Sequence, residues 1–195
     1  MSRTDLNAPA SESMLLVMDC QAPMLGAIAD ADSLLSRTAQ ALATARTRGA
    51  HVGYLHVAFE DSDYDKVPAA NKVFAPLAQA RFLRAGTPES QVHPDVAPLA
   101  GDTVVRKTRV GAFSTTDLEE QLRSKGVRTL FLAGISTSGV VLSTVRDAAD
   151  RDYRLVVLSD ATADPDPEVH RLLIEKVFPV QADVLTTADI ASVLS

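Results

Sequence analysis

Short apolar runs alternate with helix-like segments along the chain. Residues 14–19, Met-Leu-Leu-Val-Met-Asp, form a run too short for a helix, which predicts a buried strand. Similar runs predict five more strands, at residues 51–58, 103–105, 129–133, 154–158 and 183–186. Between them apolar residues recur at helical spacing, as in residues 33–48 and 139–151 and in the segment after Asp166-Pro167.

This alternation indicates the fold class. Strands that alternate with helices form βαβ units, with parallel strands and right-handed crossovers. We therefore expect an α/β fold in which a parallel sheet of six strands lies between two layers of helices. Residues 60–102 contain five prolines and no clear strand, so they are expected to form an insertion with one helix near residues 72–81. Long excursions of this kind are often functional.

The length and the first residues suggest one domain with a short lead-in. The chain has 195 residues, which fits a single domain spanning residues 1–195. Residues 1–13 are polar and include Asp5 and Glu12, unlike the apolar core of a signal peptide. We expect them to form a flexible N-terminal lead-in.

Charge and cysteine content exclude several function classes. A net charge of -6 gives no electrostatic surface for nucleic acid or for an anionic membrane. No apolar run approaches the ~18 residues that a membrane helix needs. One cysteine cannot form an internal disulfide or a cysteine-based zinc site, so we expect a reducing cytoplasm as the compartment.

Side chains that could bind or react with a ligand lie where the predicted strands end. Asp19 closes the first strand, Lys107 follows the third, and residues 134–139 (Gly-Ile-Ser-Thr-Ser-Gly) lead from the fourth into a helix. Singly, Asp19 is more simply a strand-end cap and Lys107 a solvated surface lysine. Together at one edge of a parallel sheet, where ligands bind, they favour a small-molecule site.

Nucleotide and dinucleotide sites are excluded because the sequence lacks the residues that these sites require. Residues 134–139 have the glycine spacing of a P-loop, but Val140 and Val141 stand where Lys and Ser or Thr are required. No Gly-x-Gly-x-x-Gly follows the first strand. We therefore expect no cofactor.

Metal binding is not expected either. Asp61, Asp63 and Asp65 have the first spacings of an EF-hand loop, but lysines stand at its sixth and twelfth positions. His51 and His56 are an odd number of residues apart on a strand, so they face opposite sides. The other two histidines, His93 and His170, are expected at the surface.

The remaining nucleophiles have simpler interpretations. Ser136, Thr137 and Ser138 precede a helix, where hydroxyls commonly cap the first amides, and no histidine base is placed by the sequence. Cys20 adjoins Asp19 on the strand, so its side chain points away from that of Asp19. We expect Cys20 to be buried and inert.

Three segments together resemble the isochorismatase-like hydrolases, also called cysteine hydrolases. They are residues 15–21 (Leu-Leu-Val-Met-Asp-Cys-Gln), 104–113 (Val-Val-Arg-Lys-Thr-Arg-Val-Gly-Ala-Phe) and 134–148 (Gly-Ile-Ser-Thr-Ser-Gly-Val-Val-Leu-Ser-Thr-Val-Arg-Asp-Ala). The three occur in the family's order, and the resemblance covers roughly residues 14–189. It implies a Rossmann-like three-layer fold with strand order 3-2-1-4-5-6.

The resemblance also implies a set of site residues. Asp19 and Lys107 match the family's catalytic Asp and Lys, and Val140 lies at its nucleophile position. The backbone amides of Ser136 and Val140 would form an oxyanion hole, with a cis peptide between Ile135 and Ser136. The residues expected to contact substrate are Gln21, Phe113, Ile135, Ser136 and Gly139.

The valine at the nucleophile position is the main departure from the family. Cysteine suits this position because a helix N-terminus and a nearby lysine stabilise a thiolate, whereas Val140 has no nucleophile. The Asp-x-His metal motif of nicotinamidases is also absent, since His56 is followed by Val57 and Ala58. A Cys-dependent amidase and a nicotinamidase are therefore disfavoured.

Three hypotheses follow. The first is a hydrolase without the cysteine, similar to isochorismatases, in which Asp19 acts as general acid/base with Lys107 as its partner. Water would be the nucleophile, and the substrate a small molecule with a vinyl ether or labile C–N bond. The second is a non-catalytic binder of a small molecule, and the third a structural role in which the sheet supports a dimer. In each case we expect a homo-oligomer, either a dimer or a tetramer.

Overall fold

The computed structural model describes residues 7–195 and contains one sheet of six strands. All pairings are parallel, in the order β3-β2-β1-β4-β5-β6, which confirms the expected topology. The strands are β1 (Ser13–Met18), β2 (His51–Val57), β3 (Thr103–Lys107), β4 (Thr129–Ile135), β5 (Arg154–Ala163) and β6 (Asp183–Leu185). Every residue of β1 and β4 is buried, as expected for central strands covered on both faces.

Residues 7–195 also form eight α-helices, of which seven lie between strands and the last follows β6. They are α1 (Ala22–Leu25), α2 (Ala31–Arg48), α3 (Asp61–Tyr64), α4 (Phe74–Gln79), α5 (Leu118–Ser124), α6 (Leu142–Ala149), α7 (Pro167–Leu172) and α8 (Ile190–Val193). Single π-helical turns precede α6 and follow α7, at Thr137–Val141 and Leu173–Val177. Short 3₁₀ turns lie at Ala10–Glu12, Pro88–Ser90, Pro94–Val96, Phe178–Val180 and Thr187–Asp189.

Two apolar clusters on opposite faces of the sheet make the fold three-layered. One packs α2 and α8, through Leu35, Leu42 and Ile190, against β1, β4 and β5. The other packs α5 and α6, through side chains such as Leu122 and Val145, against the opposite face. Side chains that alternate along each strand fill the two clusters in turn.

The ends of α2 and α7 follow local signals in the sequence. The side chain of Asp30 caps α2 by accepting a hydrogen bond from the Ser33 amide. The helix therefore begins at Ala31, two residues before the predicted start at Ser33. At the end of α2, Gly49 is left-handed, with φ +80°. The carboxylate of Asp166 accepts from two amides of α7, with proline at the next position as predicted.

The N-terminal segment differs from the expected lead-in. Residues 1–6 of that predicted segment lie outside the described residues. Ala8 pairs with Leu194 and is fully buried, and the Ala10 amide donates to the Ser195 carbonyl. The second half of the expected flexible lead-in is therefore packed against the C-terminal end of the chain.

The insertion forms a wall beside the carboxyl ends of the strands. The predicted helix within it is α4, but α3 is a second helix that the sequence did not predict. The Phe74 ring packs edge-on against Phe59, which stacks on Tyr64. These aromatic rings, with Val57 and Leu83, form a third apolar cluster. The cluster holds α4 over the edge of the sheet where the candidate chemistry lies.

Within residues 7–195, no helix combines the length and the apolar character needed to cross a membrane.

Candidate active site

Asp19 and Lys107 are placed by the ends of two strands. Asp19 directly follows β1, and its amide donates to the Leu55 carbonyl at 2.9 Å. Its φ of +56° is a left-handed conformation that few residues other than glycine adopt and that clusters at functional sites. Lys107 is the last residue of β3, two strands away in the sheet.

The two side chains form a buried ion pair. Lys107 Nζ lies 2.7 Å from Asp19 Oδ2, and the residues are 1% and 6% exposed. Nζ also donates to the Arg109 carbonyl at 3.1 Å. Asp19 Oδ1 is buried and has no hydrogen-bond partner.

Burial raises the pKa of Asp19. Loss of solvation raises the pKa of its carboxyl above the ordinary value of 3.8, and the attraction of Lys107 and His56 opposes that rise without cancelling it. A carboxyl group with a raised pKa keeps a proton to higher pH. Asp19 therefore has the environment of a general acid.

The end of β4 crosses β1 very closely at this edge. Gly134 has φ +131°, and a Cβ added to it would lie 2.0 Å from the Met18 carbonyl oxygen. Only glycine permits this approach. The following Ile135–Ser136 peptide is cis, as predicted.

Polar contacts fix the π-helical turn that carries Val140. The Ser138 amide donates to Asp164 Oδ2 at 2.7 Å, and Thr137 Oγ1 lies 2.8 Å from His170 Nδ1. His170 is half-buried, and burial lowers its pKa while Asp164 opposes that change. The expectation of a surface histidine is wrong for His170, because α7 packs it against this turn.

The hydroxyl groups of the turn do not act as predicted caps. No side chain caps the start of the turn, and Thr137 is fully buried in its contact with His170. Thr137 does not line the cavity described next. The His170 contact therefore serves the shape of the turn.

A cavity of about 360 Å³ opens beside the ion pair. Six of the predicted site residues line it: Asp19, Lys107, Ile135, Ser136, Gly139 and Val140. Its other walls are residues that the sequence did not single out: Met24, Ala27, Val57, Val73, Phe74, Leu77, Val110 and Pro165. The separation of these residues in sequence explains why no local pattern groups them.

Gln21 and Phe113 were predicted to contact substrate and do not line this cavity. The Gln21 side chain donates to the Val57 carbonyl at 3.0 Å and accepts from the Val57 amide at 2.8 Å, so it ties β1 to β2. Phe113 stacks on Tyr153, with Arg151 over its ring. The polar groups of Gln21 and the ring of Phe113 have these partners elsewhere, and their contact with substrate stays a prediction.

The side chains considered for metal binding have other partners. Asp61 pairs with Arg81 and Arg84, and Asp63 pairs with Arg106. In the described part of the chain, no three His, Cys, Asp or Glu residues converge as a metal site would require. The donor set of the cavity therefore does not fit a metal ion.

Cys20 lies beside Asp19 in the chain but outside the cavity lining. It is buried, and loss of solvation together with the Asp19 charge raises the pKa of its thiol to about 12. A thiol that stays protonated is a poor nucleophile.

Comparisons with known proteins agree with this architecture. A family model described as "Isochorismatase domain" matches residues 13–189. The chain is 33% identical to the ureidoacrylate amidohydrolase RutB of Variovorax paradoxus over 174 residues, covering 78% of this chain and 69% of that protein. It is 35% identical to a RutB of Methylorubrum extorquens, covering 69% of this chain and only 58% of that relative.

A solved structure shows the same fold. The isochorismatase family protein of Burkholderia thailandensis superposes with a TM-score of 0.80 at 26% identity, over 97% of this chain and 98% of that one.

Proposed function

Because the chain belongs to the isochorismatase family of hydrolases, we propose that it hydrolyses a small molecule without a cysteine nucleophile. Asp19 acts as general acid/base, Lys107 is its charged partner, and water is the nucleophile. The observation that carries this proposal is the buried 2.7 Å pair of Asp19 and Lys107 in the wall of a cavity beside Val140.

The residue at the family's nucleophile position rules out covalent catalysis there. Val140 has a hydrocarbon side chain, which forms no acyl intermediate. Cys20, the one cysteine in the sequence, has a thiol pKa of about 12 and does not line the cavity. We therefore assign water as the nucleophile.

A vinyl ether is the bond that this site is best suited to cleave. Protonated Asp19 transfers its proton to the vinyl carbon, which leaves an oxocarbenium ion and the Asp19 carboxylate beside Lys107. Water adds to the cation, and the resulting hemiketal breaks down to a carbonyl compound and an alcohol. The proton that the attacking water releases restores Asp19, so the cycle balances.

The ion pair supports the charge change in this step. The carboxylate formed when Asp19 gives up its proton lies 2.7 Å from the Lys107 ammonium. Charge attraction in a buried site is stronger than in water. Lys107 therefore stabilises the ionised acid when it forms.

A labile C–N bond is the alternative substrate bond. The relatives are named ureidoacrylate amidohydrolases, a name that describes cleavage of such a bond. We propose that the backbone amides of Ser136 and Val140 would then stabilise the oxygen of the tetrahedral intermediate. Both residues line the cavity, which supports this assignment.

A non-catalytic binder of the same fold is the second candidate. The cavity itself is compatible with binding alone. A buried acid with a raised pKa, held against a lysine, favours turnover because a site that only binds has less need for a paired acid and base. The same cavity makes a purely structural role the least supported of the three.

The assembly, metal requirement and compartment belong to the same proposal. We propose a homo-oligomer, a dimer or a tetramer, that works without metal in a reducing cytoplasm. Light scattering coupled to gel filtration tests the assembly. Stoichiometric zinc in the purified protein, lost together with activity on chelation, would contradict the metal-free mechanism.

The test is a panel of three bond classes: vinyl ethers, amides and N-carbamoyl compounds. The wild type should hydrolyse a member of the vinyl ether or labile C–N class, and Asp19→Asn should lose that activity because it has no acidic proton to transfer. Intact-mass measurement during turnover should show no covalent adduct. An adduct, or no turnover by wild type across the panel, would contradict the proposed function.

A further inference from the structure

We infer that the substrate carries a hydrocarbon group that packs against α4, and that Leu77 limits the length of that group. The inference names a substrate class and a specificity-determining residue for the proposed hydrolysis, and so rests on that function. It follows from where the polar and apolar side chains of the cavity come from and from how α4 is held.

The cavity combines charged groups from the sheet with apolar side chains from the insertion. Asp19 and Lys107 lie at the ends of β1 and β3. Val73, Phe74 and Leu77 line the same cavity with hydrocarbon side chains, and we call them the α4 wall. The cavity of about 360 Å³ is near the lower end of the usual ~300–1,000 Å³ for ligand sites. A substrate with its labile bond beside Asp19 therefore also meets the α4 wall.

Hydrogen bonds hold the α4 wall at both ends of the helix. At the start, the Asn71 side chain accepts from the amides of Val73 and Phe74 at 3.2 and 2.9 Å. Beyond the end, the Tyr64 hydroxyl donates to the Arg81 carbonyl at 3.1 Å. A wall held in this way offers the substrate a space of fixed size, so it selects substrates by the size of the group that fills it.

Phe74 and Leu77 have different parts in this wall. Phe74 is 4% exposed, and its ring packs edge-on against Phe59, with the Arg109 guanidinium 5.9 Å from the ring centre. Leu77 is only partly buried and packs against the edge of the same apolar cluster. A change at Leu77 therefore alters the cavity with less effect on the fold than a change at Phe74. Leu77 is the residue of the wall whose size can set the room left for substrate.

Burial of hydrocarbon in a space of fixed size predicts a limiting chain length. Each methylene that moves from water into apolar surroundings raises affinity about fourfold. Once the space is full, a further methylene must displace a packed side chain or stay in water, so the gain ends. The length at which it ends reports the distance between the polar groups and the α4 wall.

A homologous series of ligands measures this length without turnover. Unbranched primary amides from propanamide to octanamide share one polar head and differ only in methylenes, and NMR titration measures weak affinities of this kind. For wild type, affinity should rise about threefold to fourfold per methylene up to a limiting length and then stop rising. Affinity that is independent of length or rises through the whole series, or no binding by any member, would overturn the inference.

Three variants of α4 test the assignment to Leu77. Leu77→Ala should lengthen the limit by about two carbons, because it leaves a space that the ligand fills, and Leu77→Phe should shorten it. Gln79→Ala is the matched control, because Gln79 is exposed on the same helix outside the cavity lining, and it should keep the wild-type limit.

The opposite directions of the two Leu77 changes separate a size limit from a general loss of structure. An unchanged limit in a folded Leu77 variant, or the same shift in Gln79→Ala as in Leu77→Ala, would overturn the inference. If one Leu77 variant does not fold, the direction of the shift in the other decides.

The inference and the proposed function fail separately. A length limit that Leu77 controls, with no hydrolysis of any compound in the panel of bond classes, would contradict the function and support the inference. Hydrolysis of a panel substrate with kcat/KM independent of the length of its alkyl group would contradict the inference and leave the hydrolytic mechanism intact.

Discussion

Lys107 binds one of the two carboxylate oxygens of Asp19 and leaves the other without a partner. The bonded oxygen, Oδ2, lies 2.7 Å from Nζ, and Oδ1 is buried with no hydrogen bond. An unpaired buried oxygen is costly, and natural proteins retain such atoms mainly where function needs them. We assign Oδ1 as the atom that carries the transferred proton.

Removal of one partner of this pair should destabilise the protein more than removal of both. Lys107→Met leaves a buried carboxyl without its cation and should cost about 3–5 kcal/mol of unfolding free energy. The double variant Asp19→Leu/Lys107→Met should be more stable than Lys107→Met alone. Urea unfolding of wild type, both single variants and the double variant measures the coupling. Additive losses would show that the two charges do not interact.

The raised pKa of Asp19 predicts a specific pH dependence of activity. Asp19 must be protonated to act as an acid, so kcat/KM should be highest at low pH and fall as pH rises through the raised pKa. The folded state also binds this proton more tightly than the unfolded chain does. Its contribution to stability is therefore present below the ordinary pKa of 3.8 and lost as pH rises through the folded value.

NMR titration of the carboxyl carbons measures this directly, with Asp63 as an internal control. Burial acts to raise the pKa of Asp63, but its hydrogen bonds with Arg106, the Glu60 amide and Lys66 outweigh burial and lower it. Asp19 should titrate above 3.8 and Asp63 below it. A titration of Asp19 at or below that of Asp63 would refute the assignment of Asp19 as the acid.

Val140→Cys tests the electrostatics of the family's nucleophile position. Lys107 and the amides at the start of the helical segment should lower the pKa of the introduced thiol below the ~8.5 of a free cysteine. The change in volume is small, so the cost to stability should stay below about 1.5 kcal/mol. The rate of iodoacetamide alkylation against pH reports the thiolate.

Cys20 is the built-in comparison for that experiment. Its thiol pKa of about 12 predicts negligible alkylation at neutral pH. If the introduced thiol titrates at 8.5 or higher, the site is not electropositive. Lys107 and the amides at the start of the helical segment would then not lower the pKa of a thiol at this position.

Gly134→Ala should be among the most damaging substitutions of a small residue. Its Cβ would lie 2.0 Å from the Met18 carbonyl oxygen, and φ at this position is +131°. We expect a loss above about 4 kcal/mol, or no folded protein. Gly101→Ala is the matched control, because Gly101 has φ +94° and nothing within 4 Å of its Cβ position. It should cost only about 1–3 kcal/mol, and similar losses in thermal unfolding of both variants would contradict the close contact.

The sheet could be predicted from the sequence because its signals are local. Each strand is a short apolar run, and Gly49 and Asp166-Pro167 are signals for helix ends that the structure uses, whereas the cap at Asp30 was missed. The far ends of β4 and β5 extend beyond the predicted strands, to Ile135 and Ala163. Gly134 and the polar residues of β5 interrupt the apolar pattern there, although the backbone pairing continues.

The charged part of the site was predictable, and its apolar walls were not. Asp19 ends the first predicted strand and Lys107 follows the third, so the topology of the sheet alone brings them to one edge. Leu77 and Pro165 join the cavity through the packing of the insertion and of the loop before α7, which no local pattern encodes. Gln21 and Phe113 show the converse, since a motif match places a residue near a site without fixing where its side chain packs.

We propose that an acid, and no thiol, drives hydrolysis in this protein. A comparison of kcat/KM for wild type, Asp19→Asn and Cys20→Ala on one substrate of the wild-type enzyme tests this. Loss of a general acid costs about 10²–10⁴-fold, so Asp19→Asn should fall by that factor while Cys20→Ala stays within about twofold of wild type. Full activity of Asp19→Asn, or loss of activity in a folded Cys20→Ala, would contradict acid catalysis by Asp19.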